Sequence, residues 1–510
     1  MRPCSGRGCL EVRRYIRKIK YHVVLLLPGV LLVACTMGPD FQPPEPPATQ
    51  RYTAAPIANE TIASPGNAGN VQQFISGADI PAQWWTRYQS PAIDELVKRA
   101  LANSPSLEAA RATLRVAQEN LRAAGGVLYP RVDAGASGGR QRFSPAIIGS
   151  PLPPFEFDLY NASINVGYNL DFFGVARRGL EAQQAETDYH QFQLQAAYIA
   201  LTANVVTTAI RVAALRAQLE ATKSILEDVE QVLALMERQL AAGGAARADV
   251  LSMRAEVAQT RATLPTIEKE LARTRHLLAV LVGELPGEAQ LPQLSLTSLT
   301  LPGELPVSVP SQLVRERPDI LAAEAMLHGA SARIGIATAS LYPQFVLTGS
   351  YGTLANNTGD LFSSNAMVWD FSAGLTQPLF RGGQLKAQQR AAKEAYKQAA
   401  AQYREVLLHA FRNVADALRA LELDAKTLAA QVDRSEAARE ALELTRKQYE
   451  LGGAPYLALI NAQRQYQQVQ IALVEAQAAR FADTAALYLA MGGGWWNVPP
   501  QQTKIPEEEK

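Results

Sequence analysis

Two long stretches of the chain repeat apolar residues at alternating intervals of three and four. The second series runs from Tyr396 to Leu421. The first consists of Leu226, Val229, Leu233, Met236 and Leu240. This spacing is typical of helices that pack as coiled coils. No proline interrupts 178–240 or 384–450, and about 60 residues of helix make a rod roughly 90 Å long. We therefore predict two rods that are too long for a small globular domain.

Each predicted rod is followed by paired glycines, Gly243-Gly244 in the first case and Gly452-Gly453 in the second. Glycine readily adopts the positive φ that ends many helices, so we expect the chain to reverse at both sites. Helices predicted over Asp249–Val282 and Tyr456–Met491 would then return antiparallel to the rods. Pro265 lies inside the first return helix and predicts a bend or break there.

Four shorter segments alternate apolar with polar or small residues, as strands do. The pattern is clear in Tyr160–Asp171 and Trp369–Gln377 and weaker in Arg131–Gly139 and Gln344–Thr353. Strands of about ten residues with one apolar face fit a membrane barrel with a wet lumen. Taken alone, they fit a two-sided soluble sheet equally well. Because the smallest membrane barrels need about eight strands, four strands would require several chains to share one barrel.

The chain is also a tandem duplication. A shift of 213 positions brings 317–352 onto 104–139, so that Leu341-Tyr342-Pro343 falls on Leu128-Tyr129-Pro130. Internal repeats define the architecture, and the predicted organisation follows from them. It consists of a signal peptide (1–34), an extended proline-rich segment (35–81), a first repeat (82–284), a proline-rich linker (285–312), a second repeat (313–494) and a flexible tail (495–510).

The N-terminus has the features of an export signal. Seven basic residues precede a short apolar run, Val23–Val33, that ends in Leu32-Val33-Ala34-Cys35. This resembles the lipobox of bacterial lipoproteins, in which the cysteine is acylated after cleavage, although an ordinary signal peptide remains an alternative. Without residues 1–34 the formal net charge changes from +1 to −5. Nothing in this charge indicates a nucleic-acid partner.

The sequence gives little support for an enzyme. Residues 35–510 contain one cysteine, so neither an internal disulfide nor a cysteine-based metal site is expected. The segment Gly135–Gly139 formally fits a nucleophile elbow, but it lies in a predicted strand instead of a strand-to-helix turn. The histidines are scattered along predicted helices. We therefore expect no catalytic site, cofactor or metal.

Several motifs together resemble the TolC-like outer-membrane factors of tripartite efflux pumps, in their lipoprotein branch. They occur in order in both halves: Trp84-Trp85, Asp171–Gly174, Arg317–Glu324, Leu341–Pro343, Pro378–Gly383 and Ala490–Trp496. The resemblance implies a mainly α fold with a membrane β-barrel. Four strands per chain would form a twelve-stranded barrel in a homotrimer, and the helical hairpins would form a periplasmic α-barrel.

The resemblance also implies location and partners. The protein would be lipid-anchored in the bacterial outer membrane and would work with a periplasmic adaptor (a membrane fusion protein) and an inner-membrane proton-driven transporter. It would export small molecules or drugs. Two alternatives remain open: an outer-membrane conduit of the same fold for type I protein secretion, and a pure coiled-coil scaffold, which the four strands weaken.

In this family, residues just after the second reversal close the periplasmic end of the tunnel. The resemblance places the apolar ring on Leu457 and the acidic ring on Asn461, which is uncharged here, and another acidic position falls on Ala458. It also implies a tip link between Asp249 and Tyr449. Each residue also has an ordinary structural interpretation: Leu457 and Asn461 would pack a helix start, and Asp249 would favour a helix N-terminus.

Overall fold

The computed structural model describes residues 36–497, so the predicted signal peptide, Cys35 and residues 498–510 lie outside the described residues. The described chain separates into two compact units. The first contains Val116–Asp188, Ala325–Ala401 and the described residues up to Pro43. The second contains Pro44–Arg115, Tyr189–Glu324 and the described residues from Gln402 onwards.

The four predicted strands and the predicted long helices occur in the predicted order, together with two short strands that the sequence patterns did not predict. The strands are β1 (Gln73–Ser76), β2 (Arg131–Phe143), β3 (Phe155–Leu170), β4 (Glu304–Val307), β5 (Gln344–Ala355) and β6 (Met367–Thr376). The α-helices are α1 (Pro91–Asn103), α2 (Pro105–Gly125), α3 (Val175–Ala241), α4 (Arg247–Leu281), α5 (Pro310–Glu316), α6 (Pro318–Ala339), α7 (Gln384–Glu450) and α8 (Tyr456–Ala490).

The first unit is built on an antiparallel sheet in the order β2-β3-β5-β6. One row of directly paired residues crosses all four strands with apolar side chains: Ala134, Ile164, Tyr351 and Trp369. The adjacent row, on the opposite face, is polar: Asp133, Asn165, Ser350 and Asp370. Since residues paired across strands share a face, the sheet has one apolar face and one polar face.

All four strands occupy the predicted places, but β2 and β3 extend further than predicted. Strand β3 begins at Phe155 instead of Tyr160, and β2 continues to Phe143 instead of Gly139. The added residues pair with one another, and the Phe143 and Phe155 rings lie 5.7 Å apart. Sequence alternation missed this extension because the loop that it predicted contains polar residues and prolines. The outer edges of the sheet, on β2 and β6, carry no partner strand within the described chain.

The two rods are continuous helices of 67 residues each, α3 and α7. A helix of this length spans about 100 Å. The predicted seam of α7 is buried at Tyr403, Ala410, Val414, Ala417 and Leu421. Helix α3 also contains a window apolar enough to cross a membrane by length and composition, but 67% of that window is buried inside the protein. Packing against other helices therefore accounts for its apolar character.

Of the predicted bend or break at Pro265, the break is wrong. Helix α4 runs without interruption from Arg247 to Leu281 with Pro265 inside it. A proline removes one helical hydrogen bond and leaves the carbonyl four residues earlier, on Arg261, without that partner. Both Pro265 and Arg261 are exposed, so water can hydrate the freed carbonyl. The helix therefore tolerates the proline at this position.

The second unit has its core where the tryptophan pair meets the last long helix. Trp84 and Trp85 are buried, and the Trp84 ring stacks on Tyr488 with centroids 5.1 Å apart. The predicted extended segment is not wholly irregular, because its strand β1 pairs in parallel with β4 of the proline-rich linker. Two segments that are more than 200 residues apart in sequence thereby form one small sheet.

The first described residues are fixed within the first unit. The amide of Met37 donates to the carbonyl of Phe173 at 3.0 Å, directly after β3. Arg178, whose side chain is 5% exposed, pairs with Asp40 at 2.7 Å and with Glu181 at 2.7 Å. The chain that follows Cys35 therefore lies at the junction between strand β3 and helix α3.

Candidate gate at the helix hairpins

Each hairpin reverses at its glycine pair in the same conformation. Gly243 has φ +79° and Gly452 has φ +74°, a region that glycine enters without steric cost. The amide of Gly244 donates to the carbonyl of Gln239 at 2.8 Å, and Gly453 makes the equivalent bond at 2.8 Å. Bonds of this kind close the Schellman motif at helix ends. The structure thus places all four glycines immediately after the rods.

An apolar cluster holds the two reversals together. Its buried members are Val232, Met236, Val250, Met253, Tyr456, Leu459 and Ile460. They come from α3, α4 and α8, and the half-buried Leu442 and Tyr449 of α7 pack against them. Because all four helices meet in this cluster, the first turns of α8 are held in one orientation. The side chains on the other side of those turns therefore point away from the cluster.

Leu457 and Asn461 lie on that opposite side. They are one helical turn apart and therefore share a face. Leu457 is 65% exposed and Asn461 is also exposed, whereas the intervening Leu459 and Ile460 are buried. Within one chain, neither residue packs the start of α8 against the apolar cluster. The geometry leaves the pair available for contacts beyond the single chain.

Within the single chain, the Tyr449 hydroxyl has a partner other than the predicted Asp249. The Tyr449 hydroxyl donates to Gln239 Oε1 at 3.2 Å, so the predicted bond to Asp249 does not form within the chain. Burial raises the pKa of the Tyr449 phenol, and the Asp249 carboxylate raises it further. The phenol stays protonated and donates to the amide oxygen, while Asp249 occupies the first turn of α4, where a helix dipole favours an acid.

An ion pair that the sequence patterns did not indicate lies beside these residues. Arg464 Nε and Nη2 donate to Glu256 Oε2 at 2.7 Å and 2.5 Å. The Glu256 side chain is only 5% exposed, and a buried carboxylate needs such a partner. Arg464 follows Leu457 by seven residues, and this heptad spacing could have indicated that the two share a face. The partner on α4 had no comparable signal in the sequence.

A second polar cluster lies in the same unit between α7 and α8. Arg480 is fully buried, and its Nη2 donates to Gln72 Oε1 at 2.8 Å. Burial and the neighbouring Asp483 together raise the pKa of Asp424 to about 7, against the opposing effect of the Arg480 guanidinium. Asp424 is therefore a carboxyl group that takes up a proton near neutral pH.

This raised pKa predicts a pH dependence of stability. The folded protein keeps the Asp424 proton up to about pH 7, whereas the unfolded chain releases it near its ordinary pKa of 3.8. Between these values the folded state binds more protons, so stability falls as the pH rises. We expect the melting temperature to fall more steeply between pH 5 and pH 8 in the wild type than in Asp424→Asn. Equal slopes would contradict this assignment.

Comparison with known proteins gives matches over nearly the whole length. A family model described as "Outer membrane efflux protein" matches residues 96–284 and 309–493. The pyoverdine export outer membrane protein OpmQ of Pseudomonas aeruginosa is 30% identical over 447 residues, which cover 87% of this chain and 94% of OpmQ. The cation efflux system protein CusC of Escherichia coli is 27% identical, covering 92% of this chain and 97% of CusC.

Solved structures match equally well. The outer-membrane channel OprN superposes with a TM-score of 0.82 at 28% identity, and the match covers 90% of this chain and 100% of OprN. The predicted fold class, long helical hairpins combined with four strands of a membrane barrel in each chain, is confirmed.

Proposed function

This chain belongs to the outer membrane efflux protein family and is an outer-membrane efflux channel, and from that premise we propose that three copies close one twelve-stranded barrel. The observation that carries the proposal is the four-stranded sheet with one apolar face, one polar face and two open edges. Open edges expose unpaired backbone groups, which a lipid bilayer does not tolerate. Neighbouring copies satisfy these edges, so that the apolar face meets lipid and the polar face lines the lumen.

The long hairpins form the periplasmic tunnel, and the turns that begin α8 form its gate. Leu457 provides the apolar ring and Asn461 an amide ring one turn further along. This assignment is supported by their shared exposed face and by the apolar cluster that holds α8 in place. The Tyr449–Gln239 bond and the Glu256–Arg464 pair join the two hairpins beside the gate. The protein thus acts as a conduit for solutes.

Small molecules or ions are the proposed cargo. The relatives named for pyoverdine export and cation efflux differ widely in what they move, which fits a conduit whose partners select the substrate. We assign those partners as a periplasmic adaptor and a proton-driven inner-membrane transporter. An ATP-driven exporter for protein secretion is the alternative. Chemical cross-linking in cells, followed by identification of the captured adaptor and transporter, tests the assignment, and capture of an ATP-driven exporter would overturn it.

The mature protein is anchored by lipid on Cys35. The described chain begins one residue later and is held by Arg178, by the Met37 amide and by a stack of Phe41 on His328 with centroids 4.5 Å apart. These contacts keep the chain that follows Cys35 beside the start of α3, where the membrane strands end.

We expect Cys35→Ser to abolish incorporation of labelled palmitate, because the thiol is the only lipid attachment point. The barrel should still insert, since one lipid anchor adds little beside a complete set of membrane strands. The measurement is palmitate labelling of wild type and variant at matched expression. Equal labelling would show that Cys35 is not the acylated residue.

A further inference from the structure

Two aromatic contacts fasten the end of β3 to the start of β5. Directly after β3, the Phe173 ring stacks on Tyr342 with centroids 4.9 Å apart and planes 22° apart. The neighbouring Phe172 meets Phe345 edge-on at 4.8 Å. These contacts stand beside the last register pair of the two strands, Leu170 with Phe345. We call these four aromatic residues the internal clasp, because they join the first half of the chain to the second.

The duplication supplies a second set of clasp residues. The shift of 213 places Tyr342 on Tyr129 and Phe345 on Val132, at the start of β2. Aligning Asp171-Phe-Phe with Pro378-Leu-Phe places Phe172 and Phe173 on Leu379 and Phe380, just after β6. The corresponding pairs are thus Phe380 with Tyr129 and Leu379 with Val132.

This second set is unpaired within the described chain. Tyr129 is 73% exposed, Val132 64%, Leu379 91% and Phe380 89%. The residues flank β2 and β6, which form opposite edges of the sheet. Three strand spacings, about 14 Å, separate these edges, so the clasp cannot close inside one sheet.

We propose that the second clasp closes between copies: Leu379 and Phe380 of one chain pack on Val132 and Tyr129 of the neighbouring chain and fix the register of the shared strands. The inference rests on the proposed function, in which copies of this chain share a barrel. The inference adds the residues through which one chain contacts the next and the strand register that these contacts set. The occupant of the exposed site is therefore a second copy of this chain.

The internal clasp predicts the register at the seam. Beside this clasp, Leu170 pairs with Phe345. The duplication aligns Leu170 with Gln377 and Phe345 with Val132, so Gln377 of one chain should lie opposite Val132 of the next. Counting back along the antiparallel strands places Leu375 opposite Ala134 and Ser372 opposite Ser137.

This register keeps both faces of the barrel continuous. Leu375 shares its face with Phe345 on β5, and Ala134 shares its face with Ile164 on β3. Both belong to the apolar face, while Ser372 and Ser137 belong to the polar face. A slip of one residue would turn every side chain of one strand to the wrong face. A slip of two residues would preserve the faces, so the clasp is the feature that excludes it.

Disulfide cross-linking tests this register. Ser137→Cys with Ser372→Cys places two thiols at directly opposite lumen positions, where water and an oxidant have access. Opposite residues in an antiparallel pair have Cα atoms about 4.5–5.5 Å apart, within the range for a disulfide. The control pair, Gly135→Cys with Ser372→Cys, tests a slip of two residues, because diagonal neighbours lie about 7–8 Å apart. Each single variant controls for Cys35.

In mature full-length protein oxidised with copper phenanthroline, we expect the first pair to give covalent dimers and trimers and the control pair to remain mostly monomeric. Phe380→Ala added to each pair should shift cross-linking toward the control register. If the Gly135 pair cross-links preferentially, the proposed seam is wrong. If neither pair cross-links in a protein whose mass in mild detergent is trimeric, the seam is also wrong, but the shared barrel is not contradicted. A monomeric mass in mild detergent would overturn the shared barrel as well.

Discussion

Leu457→Ser should raise the single-channel conductance, while Asn461→Asp should instead raise the preference for cations. Apolar constrictions close a pore by excluding water, and serine removes both the bulk and the apolar surface of leucine. The amides of a wild-type Asn461 ring carry no charge. Three carboxylates in the same ring repel one another, which raises the pKa of at least one, and they attract cations. Planar-bilayer recordings in asymmetric salt measure conductance and selectivity together.

The matched control for the gate is Leu423→Ser. Leu423 is 48% exposed on α7, and it lies roughly 40 Å along the helix from the reversal. The same chemical change there should leave conductance at the wild-type value. If Leu457→Ser and Asn461→Asp also conduct like the wild type, the constriction is elsewhere in the tunnel, and the gate assignment is wrong.

Phe371→Asp should sharply reduce the yield of folded barrel, at a cost of about 2 kcal/mol per chain near the bilayer centre. Phe371 is 69% exposed in the single chain and belongs to the apolar face, opposite Gly349. The adjacent Ser372→Asp should be much milder, because Ser372 belongs to the polar face and bonds to Thr348 at 2.7 Å. Heat-resistant oligomer on a denaturing gel measures the yield.

Trp369→Asp and Thr376→Asp make the same comparison between the apolar and polar faces at other positions along β6. Trp369 continues the apolar row, whereas Thr376 lies on the polar face at the end of β6. Each aspartate on the apolar face should cost more than its partner on the polar face. Equal damage on both faces would show that the sheet is not a membrane wall.

The main elements were predictable because each has a local signal. Heptad spacing identified the rods, glycine pairs identified the reversals, and alternation identified the strands. The added length of β3 was not predictable, because its first residues pair with β2 through contacts that alternation does not encode. Continuity of α4 through Pro265 depended on solvent access, which the sequence does not display.

Contacts within the candidate site were less predictable than its position. Leu457 and Asn461 could be placed on one helix face by counting residues. The hydrogen-bond partner of Tyr449 could not be predicted, because Gln239 and Asp249 lie on opposite sides of the first reversal and both come near the phenol. The pair of Glu256 with Arg464 joins helices that are about 200 residues apart in sequence. Only the packing of the two hairpins brings these residues together.

Solute release from liposomes tests the central claim most directly, that this chain forms a conduit closed at its hairpin end. The mature protein is reconstituted into liposomes loaded with labelled sucrose and a large fluorescent dextran, and release of both is followed. We expect wild-type protein to retain both solutes and Leu457→Ser to release sucrose while retaining dextran. Retention of sucrose by Leu457→Ser, in liposomes shown to contain the inserted oligomer, would contradict the account.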